Sequence, residues 1–206
     1  MTGENGAGNG SDDDHPYEGV LGDVPAEILE LSESCRQFVV SAVGVELDYE
    51  VETIPVVDEY LRAAAAGLSD RPEARPVVTQ AVAAYFGEVV RRRIDGFWRH
   101  RDDPNDPWEL CARRALMSMS PLGVVLEILE RSTEHDGPSG EPRLSPQDAK
   151  IADERLERLP PVSEDEYYLL STREEVIETV YEALRDALRA EGRESLVFEA
   201  SDYDDE

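Results

Sequence analysis

The stretch Ala74–Ile94 sets the strongest constraint on what this chain can fold into. Val78, Val82, Tyr85 and Val89 recur at three- and four-residue steps as one apolar stripe, and Val77, Ala81, Phe86 and Val90 form a second stripe beside it. Two adjacent stripes give a helix an apolar face too wide for a surface position, so the spacing predicts a central helix covered from several sides. The remaining elements must supply that cover.

Two helices are expected before it. Pro25 opens the first, with Ile28, Leu31, Cys35, Phe38, Val39 and Ala42 on its apolar face and Gly44 as its stop. The second begins near Pro55, turns Val57, Tyr60, Leu61 and Ala64 inward, and ends at Gly67. After Gly96 the period shortens, and Phe97–His100, Trp108–Arg113 and Ala115–Met119 predict three short antiparallel strands, the first pair joined by the turn-rich RDDPNDP segment. Ser120–Pro121 then reads as a helix start, with Leu122, Val125, Leu126 and Leu129 available to cover the sheet. The expected fold class is α+β: helices packed on a small antiparallel sheet, a three-stranded meander plus one or two added strands.

A break at residues 132–144, containing STEHDGPSGEP, divides a core block at 24–131 from a second block at 145–198, which is expected to pack on the same core. That second block reads as a helix from Ser145–Pro146 to Leu159, a strand Glu166–Leu170, a long helix Thr172–Glu191 and a last strand Leu196–Phe198. Ser171 and Glu174 have the spacing of a capping box. Glu174, Glu175 and Glu178 sit where the helix dipole favours acids, with Arg185 and Arg189 at the opposite end. Residues 1–23 carry six acids and no Lys or Arg, and residues 199–206 (EASDYDDE) carry five acids and nothing basic. Both are expected to be disordered acidic tails, because neither offers enough apolar surface to offset its ordering entropy.

Charge removes several function classes. Forty-seven Asp and Glu oppose 20 Lys and Arg, a net charge of −27. Lys150 is the single lysine beside the arginines, a bias that fits a GC-rich genome better than a salt-loving host. Phosphate binding needs clustered cations, so a nucleic-acid partner is not expected. The longest apolar stretches fall short of the roughly 18 residues needed to span a bilayer, so no membrane association is expected. The first 20 residues lack the basic start and apolar middle of a secretory signal, which implies a cytoplasmic protein. Cys35 and Cys111 then read as buried core thiols rather than a disulfide.

No catalytic residue, metal ligand set or cofactor site emerges. His15, His100 and His135 are too scattered to share a metal, and His100-Arg101-Asp102-Asp103 reads as a solvated loop between prolines. A Gly-x-Ser-x-Gly elbow is missing, and the glycine-rich GENGAGNG segment has neither a preceding strand nor a closing lysine. One local feature is unusual. Gly87 and Glu88 interrupt the most apolar helix, where glycine costs about 1 kcal/mol relative to alanine. Ala83, Ala84 and Gly87 form a small-residue line, so another backbone, of the first helix or a strand, is expected to approach closely there. Glu88 would then lie within one turn of Arg91 and Arg92, either as a packing ion pair or as a carboxylate lining a groove.

ELDYE (46–50), VVDEYL (56–61), AYFGEVV and the glycine before Phe97–Trp98 together resemble a pattern of uncharacterised bacterial domains: Leu-Asp-Tyr-Ser, a helix ending in Tyr-Leu, an aromatic-Gly-Glu helix, and Gly-Gly-x-Trp. The likeness covers about residues 26–130. Glu50 stands where the pattern has serine, and Asp95 where it has its first glycine. The resemblance implies the helix-then-sheet layout and no particular chemistry. It marks Asp48, Tyr49, Gly87, Glu88 and Trp98 as candidate binding residues.

The function class expected from these features is a non-catalytic cytosolic protein-interaction module, whether adaptor, immunity-like or chaperone-like. Its acidic surface would steer it toward a basic protein partner, and self-association stays open. The alternative is an enzyme with an unrecognised carboxylate site near Glu88 and Asp48. A third reading, an acidic mimic of nucleic acid, ranks last because much of the charge excess lies in the tails.

Overall fold

The computed structural model describes residues 24–204, so the expectation for the N-terminal tail lies outside the described residues. Within them the chain is α+β, with seven α-helices around a three-stranded antiparallel sheet. Helix α1 (Ala26–Val43) starts after Pro25 and ends at Gly44, whose φ of 77° is the left-handed conformation that glycine adopts without strain. Helix α2 (Ile54–Asp70) continues through the expected stop at Gly67, where the backbone stays helical and nothing crowds it. Helix α3 (Arg75–Arg93) is the central helix. Every residue from Ala81 to Arg91 is buried, under α1, α2, α4, α7 and the sheet. Burying side chains such as Val82, Phe86 and Val89 contributes about 1.5–3 kcal/mol each.

The meander follows, β1 (Gly96–His100), β2 (Trp108–Ala112) and β3 (Ser118–Met119). Phe97 pairs with Cys111 and Trp98 with Leu110, so the two-residue period sorts side chains to opposite faces. Trp98, Leu110 and Met119 join the main core, whereas Phe97 and Cys111 form a small second cluster on the other face. Asp95, just before β1, has a φ of 48°. Aspartate tolerates this conformation better than most residues.

Helix α4 (Pro121–Glu130) is capped by Ser120, whose hydroxyl accepts from the Gly123 N–H at 3.0 Å. Residues 132–144 are irregular but lie against α4. The Gly140 N–H donates to the buried Glu127 carboxylate at 2.7 Å, and a Cβ on Gly140 would come within 2.8 Å of the Val124 backbone. Arg143 then exchanges two backbone hydrogen bonds with Ser118.

Three expectations for the remaining chain need correction. Helix α5 (Pro146–Leu156) is followed not by a strand at Glu166–Leu170 but by the short helix α6 (Glu164–Tyr167). The capping box there belongs to Ser163 and Glu166, which trade hydrogen bonds with each other's backbone, and this local geometry outweighs the β-like YYLL composition. Helix α7 (Leu170–Ala190) begins before Ser171, so the Ser171–Glu174 box does not form. Asp58 of α2 caps α7 instead, accepting the Leu170 N–H at 2.6 Å, the Ser171 N–H at 3.2 Å and the Ser171 hydroxyl at 2.8 Å. Leu196–Phe198 is extended without becoming a strand, since its hydrogen bonding to the meander is the single Phe198 N–H to Arg113 carbonyl contact at 2.8 Å. The sheet therefore has three strands among the described residues and neither of the added ones.

The C-terminal segment departs most from expectation. Residues Ala200–Tyr203 form a 3-10 turn rather than a free acidic tail. Tyr203 is 2 % exposed, meets Phe97 edge to face at 5.9 Å, and brings its hydroxyl within 2.6 Å of the Ala112 carbonyl. Asp204 pairs with Arg99 at 2.8 Å. One aromatic side chain supplies the burial that the acidic residues around it cannot. Cys35 and Cys111 are free and buried, and burial pushes both thiols up to about 12. No helix among the described residues is long and apolar enough to cross a membrane.

Candidate functional site

Of the five residues marked by the sequence, three form one device on α3 and β1. A Cβ on Gly87 would lie 2.3 Å from Cη2 of Trp98, so only glycine leaves room for the indole at its present depth. The close approach that the small-residue line predicts is therefore real, but the partner is a side chain rather than a backbone. The next residue, Glu88, accepts from the Trp98 Nε1–H at 2.7 Å. Gly87 thus provides the seat and Glu88 the anchor for one tryptophan.

Glu88 is fully buried, and its charge is answered locally. Arg91, one turn on, donates to both carboxylate oxygens, at 2.7 and 3.1 Å, and the Arg92 guanidinium lies 4.0 Å away. Leaving such a carboxylate unpaired in the core would cost several kcal/mol, a cost that Arg91 and Arg92 one turn on offset, whereas Arg93 pairs with Glu174 and Glu178.

Tyr49 joins this cluster through Arg92. The Arg92 guanidinium stands 4.3 Å above the Tyr49 ring, which in turn stacks on Tyr85 at 5.0 Å. Tyr49 holds a φ of 66°, stabilised by its own N–H donating to the Tyr85 hydroxyl at 3.1 Å and by a 3.1 Å hydrogen bond between its hydroxyl and Ser32. Burial pushes the Tyr85 hydroxyl up to about 12, so it stays protonated. Asp48 stays exposed on the loop, where it accepts from the Glu50 N–H at 3.0 Å and the Thr53 hydroxyl at 3.2 Å. It serves the turn rather than the Glu88 cluster.

Trp98, although buried, also borders a surface cleft. With Trp108 it lines a shallow, half-open cleft between α1, α3 and the meander, whose other walls include Ile28, Leu31, Ala83, Ala84 and Pro121. The polar groups of this cleft are Glu27, Gln80 and Asp106. Glu27 accepts from the Trp108 Nε1–H at 3.1 Å. Asp106 is buried, accepts from the Ser120 hydroxyl at 2.9 Å, and pairs with Arg101 at 3.2 Å. Burial pushes its carboxyl above the usual range, against the opposing pull of Ser120 and Arg101. Sequence reading missed Glu27, Asp106 and Trp108. The available signal was the tryptophan count, since the chain holds only two and both fall in the meander.

Comparison with protein-family models, curated proteins and solved structures gives no match.

The geometry of the site repeats one theme. The two other largest buried carboxylates are also neutralised by arginine: Glu109 by Arg99 at 2.6 Å and by Arg143, and Glu127 by Arg173. Among the described residues no group of three His, Cys, Asp or Glu side chains is placed to hold a metal ion. What the arrangement offers is a preformed aromatic cleft with carboxylates in its lining.

Proposed function

We propose that this protein is a non-catalytic, cytosolic protein-interaction module whose partner is a basic protein. The observation that carries this reading is the fate of the positive charge. Of the 19 arginines, 15 have a carboxylate within 4.0 Å among the described residues. Ion pairing thus neutralises most of the cations in place, and the surplus carboxylates remain to set the external field. A negative field of this size speeds encounter with cationic proteins and disfavours nucleic acid.

The burial of Glu88 weighs against turnover at Glu88 and Asp48. Both oxygens of Glu88 are taken by Arg91 and Trp98, and Asp48 binds its own turn on the exposed loop.

The test is an association measurement. Proteins cross-linked to the full chain in a native lysate are identified, and the association rate of the purified pair is followed from 0.1 to 1 M salt, a range over which the Debye length falls from about 10 to about 3 Å. The rate is expected to fall several-fold. Salt-independent association, or turnover lost on Glu88→Gln with the fold intact, overturns the reading.

A further inference from the structure

We infer that the cleft between Trp98 and Trp108 receives an arginine side chain from the partner protein. This rests on the interaction reading above and names the chemistry of its contact. Two indoles line the cleft, and aromatic faces attract a cation through the ring quadrupole, tryptophan most strongly. Of its two carboxylates, Asp106 is already paired with Arg101, which leaves Glu27 as the carboxylate open to a ligand; with no Lys or Arg among the lining residues, the complement is cationic. A planar guanidinium can stack on one indole while it donates to the Glu27 carboxylate, a combination that a compact ammonium matches less well.

The site is also built in advance. Gly87 makes room for Trp98, Glu88 holds its indole N–H, and Glu27 holds that of Trp108, so both rings are oriented before anything binds. Rigid aromatic walls around a single arginine are the arrangement expected at the centre of a protein interface, where few residues carry most of the affinity.

The chain's two tryptophans both line this cleft, so intrinsic fluorescence of the full-length protein reports on it directly. The probe is N-acetyl-L-arginine methylamide at constant ionic strength, compared with the uncharged isostere N-acetyl-L-citrulline methylamide. The arginine compound should give a saturable change, and the citrulline compound should bind about threefold to thirtyfold more weakly, the span of cation–π attraction. Glu27→Gln, with unchanged circular dichroism, should lower the affinity for the arginine probe several-fold. No saturable change in the wild-type protein, equal response to citrulline, or no effect of Glu27→Gln overturns the proposal. Salt-dependent partner association that survives both Glu27→Gln and Trp108→Leu undiminished sinks the cleft assignment alone and leaves the interaction reading standing. Salt-independent association of the wild-type pair removes that reading itself.

Discussion

The indole of Trp98 fills the space that a Cβ on Gly87 would need, and the Glu88 carboxylate next to it fixes the same indole through its N–H. Two neighbouring residues of α3 therefore position one side chain of β1, and through it one wall of the candidate cleft. The apparent weakness of a glycine inside the most apolar helix is the condition for that contact.

Gly87→Leu follows directly. Leucine is the better helix former, yet its side chain has no room beside Trp98 and Pro121. Overpacking should destabilise the fold by about 1–3 kcal/mol or more, outweighing a propensity gain of about 1 kcal/mol. Urea titration checks this, and a neutral or stabilised variant would contradict the contact.

Asp58 caps a helix more than a hundred positions away in sequence, because α2 lies beside the start of α7. Asp58→Ala leaves the buried Leu170 N–H without its acceptor and should cost about 1–3 kcal/mol. Ser171→Ala should cost less, since that hydroxyl donates to Asp58 rather than capping the helix itself. Denaturation midpoints of the two variants give the comparison, and an equal loss would count against a cap supplied by α2.

Tyr203 closes the outer face of the sheet over Phe97 and Cys111. Tyr203→Phe removes one hydrogen bond and should destabilise by about 0.5–1.5 kcal/mol. Removing residues 200–206 should do more, by uncovering Cys111. The buried Cys111 thiol should then react with a disulfide reagent faster than in the intact protein, with Cys35→Ala as the background that isolates it.

Glu174 links stability to pH. Burial, reinforced by Glu178, Glu175 and Glu52, pushes its carboxyl from 4.5 up to about 7, although Arg93 pulls the other way at 3.8 Å. The folded state therefore holds the proton more tightly than the unfolded chain. The resulting stabilisation is full below the unfolded value and is lost as pH rises through about 7. Glu174→Gln should raise the urea midpoint more at about pH 8 than at about pH 5. A gain independent of pH would show that this group does not titrate in the window.

The amino-acid order alone determined the elements whose signals are local. The paired stripes of α3, the proline and glycine that bound α1, the Ser120 cap and the alternation of β1 and β2 are all set by residues within a few positions of one another, so periodicity and capping chemistry revealed them. The same holds for Gly87, whose cost inside a helix announced a close neighbour. What covered that space was decided by tertiary structure, because the neighbour is an aromatic ring brought in from β1. Tertiary structure also decided that Asp58 rather than Ser171 caps α7. It determined that Tyr203 docks a segment otherwise acidic, and that Glu27 meets Trp108 across 81 positions of chain. In each case one or two side chains act over long sequence separation, and their effect depends on which surfaces the packed helices bring within hydrogen-bonding reach.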